Sequence, residues 1–197
     1  MRATIFDYGA GNLHSLAKAL ALAGAAVSVD TDPLAALESD VLVLPGVGNF
    51  ALAAEKLSTA RTTLRDAILA GHPTLGICLG MQLLFDSSEE GPGEGLAVIP
   101  GTVRKLESNR VPQIGWNAIE FCGERRADYA LAMGYYANSF VCRPDSDDTV
   151  IAWSTHERDR FPAVVRTARA LGVQFHPEKS STSGLRFISA ALEEIFQ

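Results

Sequence analysis

Apolar runs and helical stripes alternate through the first half of the chain, and that alternation carries the fold. Ala3-Thr4-Ile5-Phe6 is a short apolar run that predicts a strand. Asn12 stands where a cap would open a helix reaching about Leu22 to Gly24. Val27-Ser28-Val29 predicts the next strand, and Val41-Leu42-Val43-Leu44 another, apolar at every position as a central parallel strand requires. Helical periodicity then fills Ala51 to Ala70, and Pro73 to Ile77 reads as a strand. A β-α-β-α order of this kind predicts an α/β fold: an open, mostly parallel sheet with helices on its faces.

The pattern changes near Ala97. Short strand-like runs follow at Val98–Leu106, Gly115–Phe121, Tyr135–Val141 and Val164–Arg169, separated by turn-rich stretches such as residues 143–148. These predict antiparallel strands and hairpins in the second half. Ser183 to Phe196 closes the chain as an amphipathic helix.

Composition narrows the class. With 197 residues, 47% hydrophobic and 20% charged, the chain is expected to form one domain, residues 1–197, with a sizeable core. A formal charge of −6 argues against a nucleic-acid partner, which would need a basic stripe. Cys78, Cys122 and Cys142 form no C-x-x-C pair, which fits free thiols in the reducing cytoplasm better than a disulfide frame. Residues 16–26 are apolar but too short for a membrane span, and Lys18 interrupts them. Gly9-x-Gly11 opens like a dinucleotide fingerprint, yet His14 stands where a third glycine belongs. Residues 91–95, rich in glycine, lack the Gly-Lys-Ser/Thr of a phosphate loop and read as a turn.

The candidate chemistry lies at two places. Gly76-Ile77-Cys78-Leu79-Gly80-Met81-Gln82 follows the predicted strand and leads toward Leu83-Leu84-Phe85, read as helix. The strand would turn sharply into that helix with Cys78 at the corner, since only small residues fit on either side of such an elbow. The corner would push the sulfur clear of the sheet and set it over the positive end of a helix, where a thiolate is favoured. Near the C-terminus, Val173-Gln174-Phe175 reads as a strand that Pro177 ends, leaving His176 at its tip and Glu178 just beyond. A cysteine nucleophile needs a base, and the base needs a group that fixes its tautomer. Cys78, His176 and Glu178 supply all three. His14, His72 and His156 sit in no comparable setting.

Gly-Ile-Cys-Leu-Gly-Met-Gln with His-Pro-Glu resembles the triad, or class I, glutamine amidotransferases. Pro45-Gly46-Val47-Gly48-Asn49-Phe50, Gly115-Trp116-Asn117 and the Lys179-Ser180 extension narrow the likeness to the glutaminase subunits of imidazole glycerol phosphate synthases, in histidine biosynthesis. The likeness runs from Tyr8 to the last helix. It implies glutamine as substrate, no metal or cofactor, and a separate (β/α)8-barrel cyclase subunit as partner in a heterodimer. It implies an oxyanion hole from the amides of Val47 and Leu79, with Gly46 and Gly48 giving the Val47 peptide room to rotate. Gln82, four residues after Cys78 on the same helix face, would contact the bound glutamine. Asn12, Trp116, Tyr135 and Lys179 match interface positions; read without the family, they are a cap, two core aromatics and a surface lysine. Two departures stand out: Gln113-Ile114 where the family suggests His-Met, and Asn138 where it suggests a histidine. A glutaminase serving anthranilate, aminodeoxychorismate or pyridoxal phosphate synthesis, and a cysteine peptidase, are the rival readings. Met81 and Lys179-Ser180 speak against the first group; Gln82 and the Pro-Gly-Val-Gly strand speak against the second.

Overall fold

The computed structural model describes residues 1–9, 11, 13–123, 129 and 131–197. In chain order its strands and helices are β1 (Arg2–Phe6), α1 (Leu13–Leu22), β2 (Ala26–Asp30), α2 (Pro33–Ala36), β3 (Val41–Leu44), α3 (Phe50–Leu57), α4 (Arg61–Leu69), β4 (Thr74–Ile77) and α5 (Leu79–Gln82). Then come β5 (Ser87–Ser88), β6 (Gly101–Lys105), β7 (Gln113–Ala118), β8 (Glu120–Phe121), β9 (Met133–Asn138) and β10 (Phe140–Pro144). β11 (Val150–His156), β12 (Asp159–Thr167), β13 (Ala170–Val173) and α6 (Ser181–Phe196) complete the set.

Eight strands form the main sheet in the order β2-β1-β3-β4-β13-β12-β11-β8. The first five run parallel, and β12, β11 and β8 continue the sheet antiparallel. The uniformly apolar β3 is explained by burial on both faces. Val41 and Val43 point into the core under α1 and α6, while Leu42 and Leu44 point into the core under α3 and α4. Alternating side chains along one strand thus serve two layers. A smaller sheet of β10, β6 and β5 and the β7–β9 ribbon stand beside it.

The parallel half follows the sequence expectation, and the differences have local causes. The helical stretch expected over 51–70 is two helices. Ser58 interrupts it, its hydroxyl donating to the Glu55 carbonyl at 2.6 Å, as serine does when it competes with the helix ladder. The four-residue α2 was not foreseen. Helix after Cys78 lasts a single turn, because the carbonyls of Leu83, Leu84 and Phe85 accept from Leu96, Val98, Ile99 and Ala97. Those same bonds occupy 96–99, so the strand expected from Val98 begins only at Gly101.

In the second half the run 135–141 divides between two sheets. β9 pairs with β7, β10 pairs with β6, and the carbonyl of Ser139 between them accepts from Leu106. The run 164–169 is the end of β12 and the turn into β13, with Ala168 at φ 46. The strand expected over 173–175 ends at Val173, although Gln174 still donates to the Ala163 carbonyl at 2.9 Å. β11 lies in a stretch where no strand was expected. The cap expected at Asn12 falls outside the described residues. No helix among them is long and apolar enough to cross a membrane.

Candidate active site

Cys78 stands at the corner between β4 and α5 with φ 48 and ψ −102, a conformation costing a side chain about 1–3 kcal/mol. Two glycines hold it there by steric necessity. A Cβ on Gly76 would lie 2.6 Å from the Gly80 carbonyl oxygen, and one on Gly80 would lie 2.0 Å from that of Leu44. Backbone therefore packs on backbone at both sides of Cys78. The Cys78 N–H donates to the Val173 carbonyl at 2.6 Å, and its own carbonyl accepts from Gln82 at 3.1 Å. The sulfur is less open than an elbow predicts: Cys78 is 6% exposed, at the wall of a cavity. With α5 only one turn long, the helix field at the sulfur is also smaller than a full helix would give.

β13 pairs with β4 in parallel, Val173 opposite Ile77, so the chain beyond β13 emerges beside Cys78. That register brings His176 to the nucleophile across a sequence gap of nearly half the chain. His176 Nδ1 and Glu178 Oε1 lie 2.8 Å apart, and both side chains are buried. Nδ1–H donating to the carboxylate leaves Nε2 as the nitrogen for Cys78. Burial favours the neutral ring, but attraction to and hydrogen bonding with Cys78, then with Glu178, outweigh it and push His176 up to about 10. The backbone of His176 is clipped in place: its N–H donates to the Tyr135 carbonyl at 2.7 Å, and its carbonyl accepts from the Ser180 hydroxyl at 2.7 Å. Ser180 also accepts from the Tyr135 N–H at 2.9 Å, which gives the Lys-Ser extension a structural meaning.

The Gly46–Gly48 loop closes the site from the third side. A Cβ on Gly46 would meet the Ile77 carbonyl at 2.9 Å, the His176 ring at 3.0 Å and Cys78 Cβ at 3.1 Å. The loop is pinned at its ends: the Tyr8 hydroxyl donates to the Pro45 carbonyl, and Asn49 caps α3. Between those anchors Val47 is 39% exposed and Gly48 has φ +149.

A cavity of about 270 Å³ collects Gly46, Val47, Gly48, Cys78, Leu79, Gln82, His176 and Lys179. Every catalytic, oxyanion and substrate-binding position expected from the sequence except Glu178 lines it, and Glu178 supports His176 from behind. Leu79 starts α5, so its N–H is one that a helix leaves without an internal acceptor. Gln82 is turned inward more than expected, donating to the Phe140 carbonyl at 3.0 Å and to Gln174 Oε1 at 3.3 Å.

Trp116 and Tyr135 are not core residues. They meet edge to face at 6.2 Å between ring centres on the β7–β9 ribbon, and Trp116 is 53% exposed. Ile114 and Met133 are exposed on the same ribbon. Asn12 lies outside the described residues.

Sequence reasoning missed Glu90, Gln174 and the 137–140 wall. Glu90 lines the cavity and accepts from the Phe50 N–H at 2.8 Å, at the start of α3. Its only signal was a carboxylate beside a glycine-rich turn. Gln174 is wholly buried and donates to Cys78 Sγ at 3.5 Å; a glutamine inside an apolar strand was the available hint. Among the described residues no cluster of histidine, cysteine and carboxylate could hold a metal.

The chain resembles known proteins along nearly its whole length. A family model for glutamine amidotransferase class-I matches residues 4–193. The chain is 44% identical over 199 residues to imidazole glycerol phosphate synthase subunit HisH of Thermus thermophilus, covering 97% of this chain and 96% of that one. To the HisH subunit of Methanopyrus kandleri it is 42% identical, covering 98% of each. A solved structure described as a glutamine amidotransferase superposes with a TM-score of 0.76 at 18% identity, over 98% of both chains. That likeness speaks for the fold, and the sequence relatives speak for the branch. The chain belongs to the class-I glutamine amidotransferases and, within them, to the HisH subunits of imidazole glycerol phosphate synthase.

Proposed function

We propose that this chain hydrolyses glutamine to glutamate and ammonia with Cys78, His176 and Glu178. It passes the ammonia to a (β/α)8-barrel cyclase subunit that makes imidazole glycerol phosphate. The observation that carries the reading is His176, buried, bonded to Glu178 through Nδ1 and to Cys78, beside a cavity of amino-acid size. The Cys78 sulfur attacks the side-chain carboxamide carbon, and its proton travels through His176 to the departing nitrogen. The C–N bond breaks, ammonia leaves neutral, and a thioester remains. Water, deprotonated by His176, then releases glutamate and restores the thiol.

Both tetrahedral intermediates carry an oxyanion. The N–H of Leu79 and the N–H of Val47 serve it, each worth about 2.7–4 kcal/mol. Gly46 and Gly48 let the Val47 peptide reach that orientation. Glu90 and Lys179 give the cavity one carboxylate and one ammonium, a charge pair suited to the two ends of an α-amino acid. Gln82 shapes the wall between them.

Ammonia freed into neutral water becomes ammonium, which lacks the lone pair for attack, so direct delivery is required. We read the exposed Trp116, Ile114 and Met133, with the half-buried Tyr135 and with Lys179, as the surface on which the cyclase docks; Asn12 is assigned to it by the family resemblance alone. We read residues 1–197 as one domain working in the cytoplasm in a heterodimer. The test is glutamate and product formation in the complex with the cyclase. Cys78→Ala should remove both from glutamine while added ammonium salt still sustains product. Glutamine hydrolysis within tenfold of wild type in that variant would refute the reading.

A further inference from the structure

A line of buried carboxamides leads away from the Cys78 sulfur. Gln174 donates to Sγ at 3.5 Å and, through Oε1, accepts from Gln82 Nε2 at 3.3 Å. Gln82 Nε2 also donates to the Phe140 carbonyl at 3.0 Å, and Asn138 Nδ2 donates to that same carbonyl at 3.1 Å. There the donors run out. Asn138 Oδ1 and Gln113 Oε1 are both buried, and neither accepts from any described group.

These two oxygens belong together. Gln113 on β7 and Asn138 on β9 are register partners, and both sit on the buried face of the ribbon, 4% and 5% exposed. Side chains directly opposed across antiparallel strands have Cβ atoms about 4.5–5.5 Å apart, so the two carboxamides are neighbours on this face. Turning the Asn138 amide over would not help, because its oxygen would then face the Phe140 carbonyl. Buried acceptors left open in this way call for a donor. Asn138 also lines the cavity that holds Cys78, so the open end of the pair is in reach of what that site releases.

We propose that Asn138 and Gln113 form the first acceptor station for ammonia leaving Cys78. The inference rests on the glutaminase reading above and adds where its product goes. Neutral ammonia offers N–H donors on one heavy atom, which matches two opposed acceptors. Carboxamides carry no proton that titrates near neutrality. The pair therefore accepts from ammonia without supplying a proton to it. It also removes the liability of two unsatisfied buried oxygens only when occupied.

The test uses the complex with its cyclase and compares glutamate formed with imidazole product formed. Gln113→Met keeps the volume and removes one acceptor; Asn138→Leu removes the other. The expected result is that the share of glutamate matched by product falls at least twofold in each. Glutamate formation by Gln113→Met should stay within about twofold of wild type, and product from saturating ammonium salt should be unchanged. Thermal unfolding confirms that each variant folds, and Gln113→Met carries the test alone if Asn138→Leu does not. Full coupling in folded Gln113→Met would overturn the station and mark the pair as a water site. Parallel loss of glutamate and product would also overturn it, by placing the pair in hydrolysis. A wild-type complex that makes no product from glutamine would instead bring down the glutaminase reading itself.

Discussion

The corner that carries Cys78 and the loop that faces it across the cavity are built on opposite terms. At the corner, Gly76 and Gly80 leave no room for a methyl group against the backbone of Gly80 and Leu44. The nucleophile's strained backbone is thus held by contacts that cannot relax. At the loop, Tyr8 and Asn49 fix only the ends, and Val47 between them stands 39% exposed. On the function proposed above, a site with a fixed sulfur and an adjustable oxyanion donor would be controlled at the donor. Its rate would then be set by whether the Val47 N–H points at the substrate.

The largest effect tests the fixed side. Cys78→Ala should abolish glutamine hydrolysis, with nucleophile loss in a comparable triad worth on the order of 10⁶ in kcat. The fold should survive, as read by circular dichroism, because the change removes a single sulfur atom from the wall of a cavity. His176→Ala should be nearly as damaging, since the proton has no other acceptor. Glu178→Gln should cost about one to two orders of magnitude less, because an orienting hydrogen bond survives in part. Steady-state kinetics that rank Glu178→Gln below His176→Ala would contradict the assigned roles.

The next prediction tests the adjustable side. Gly46 is a poor probe of rotation, because its Cβ would strike His176 and Cys78 as well as the Ile77 carbonyl. Gly48 is the better one: a Cβ there meets only the ends of the Leu79 and Tyr8 side chains, at 3.2 and 3.8 Å. Gly48→Ala should lower cyclase-stimulated glutaminase activity by up to about 10²–10³, the value of one oxyanion donor. Backbone strain at a positive φ should cost about 1–3 kcal/mol of stability, measured by denaturant unfolding. A variant as active as wild type under stimulation would show that the loop need not turn.

The last prediction is electrostatic and concerns stability, not rate. His176 rises from its ordinary 6.5 to about 10 even though burial opposes the charge, because Cys78 and then Glu178 attract it. A raised folded value means that the charged ring contributes stability fully below pH 6.5, and that the contribution is lost as pH rises through about 10. Unfolding free energy should therefore fall between pH 6.5 and 10. The fall should be smaller in Cys78→Ser, where the leading attraction is gone. An identical pH profile in the two proteins would separate His176 from Cys78.

The same contrast explains what could be read from the sequence. The elbow was legible because steric need leaves glycine no substitute, and β3 was legible because a strand buried on both faces must be apolar throughout. His176 and Glu178 were legible because one short His-Pro-Glu segment carries both, although the strand before it ends at Val173 and not at Pro177. Glu90 and the 137–140 wall were not, since no local pattern says that a turn after β5 and the break at Ser139 converge on one cavity. β11 was missed, and the 135–141 run was read as one strand, because antiparallel pairing is decided by distant partners and not by local periodicity. Trp116 was assigned to the interface by resemblance and was a core aromatic only when read without the family; the ribbon places it outside the core.

The central claim, a fixed nucleophile governed by a movable donor, is tested most directly by glutaminase activity of the purified chain alone. The same assay is then repeated with the cyclase subunit and its ligand added. Binding that favours the active orientation of the Val47 peptide should shift its population. The free chain should hydrolyse glutamine slower by at least about 10²–10³, the loss expected from one missing donor. Full activity in the free chain, unchanged by cyclase and ligand, would contradict the account.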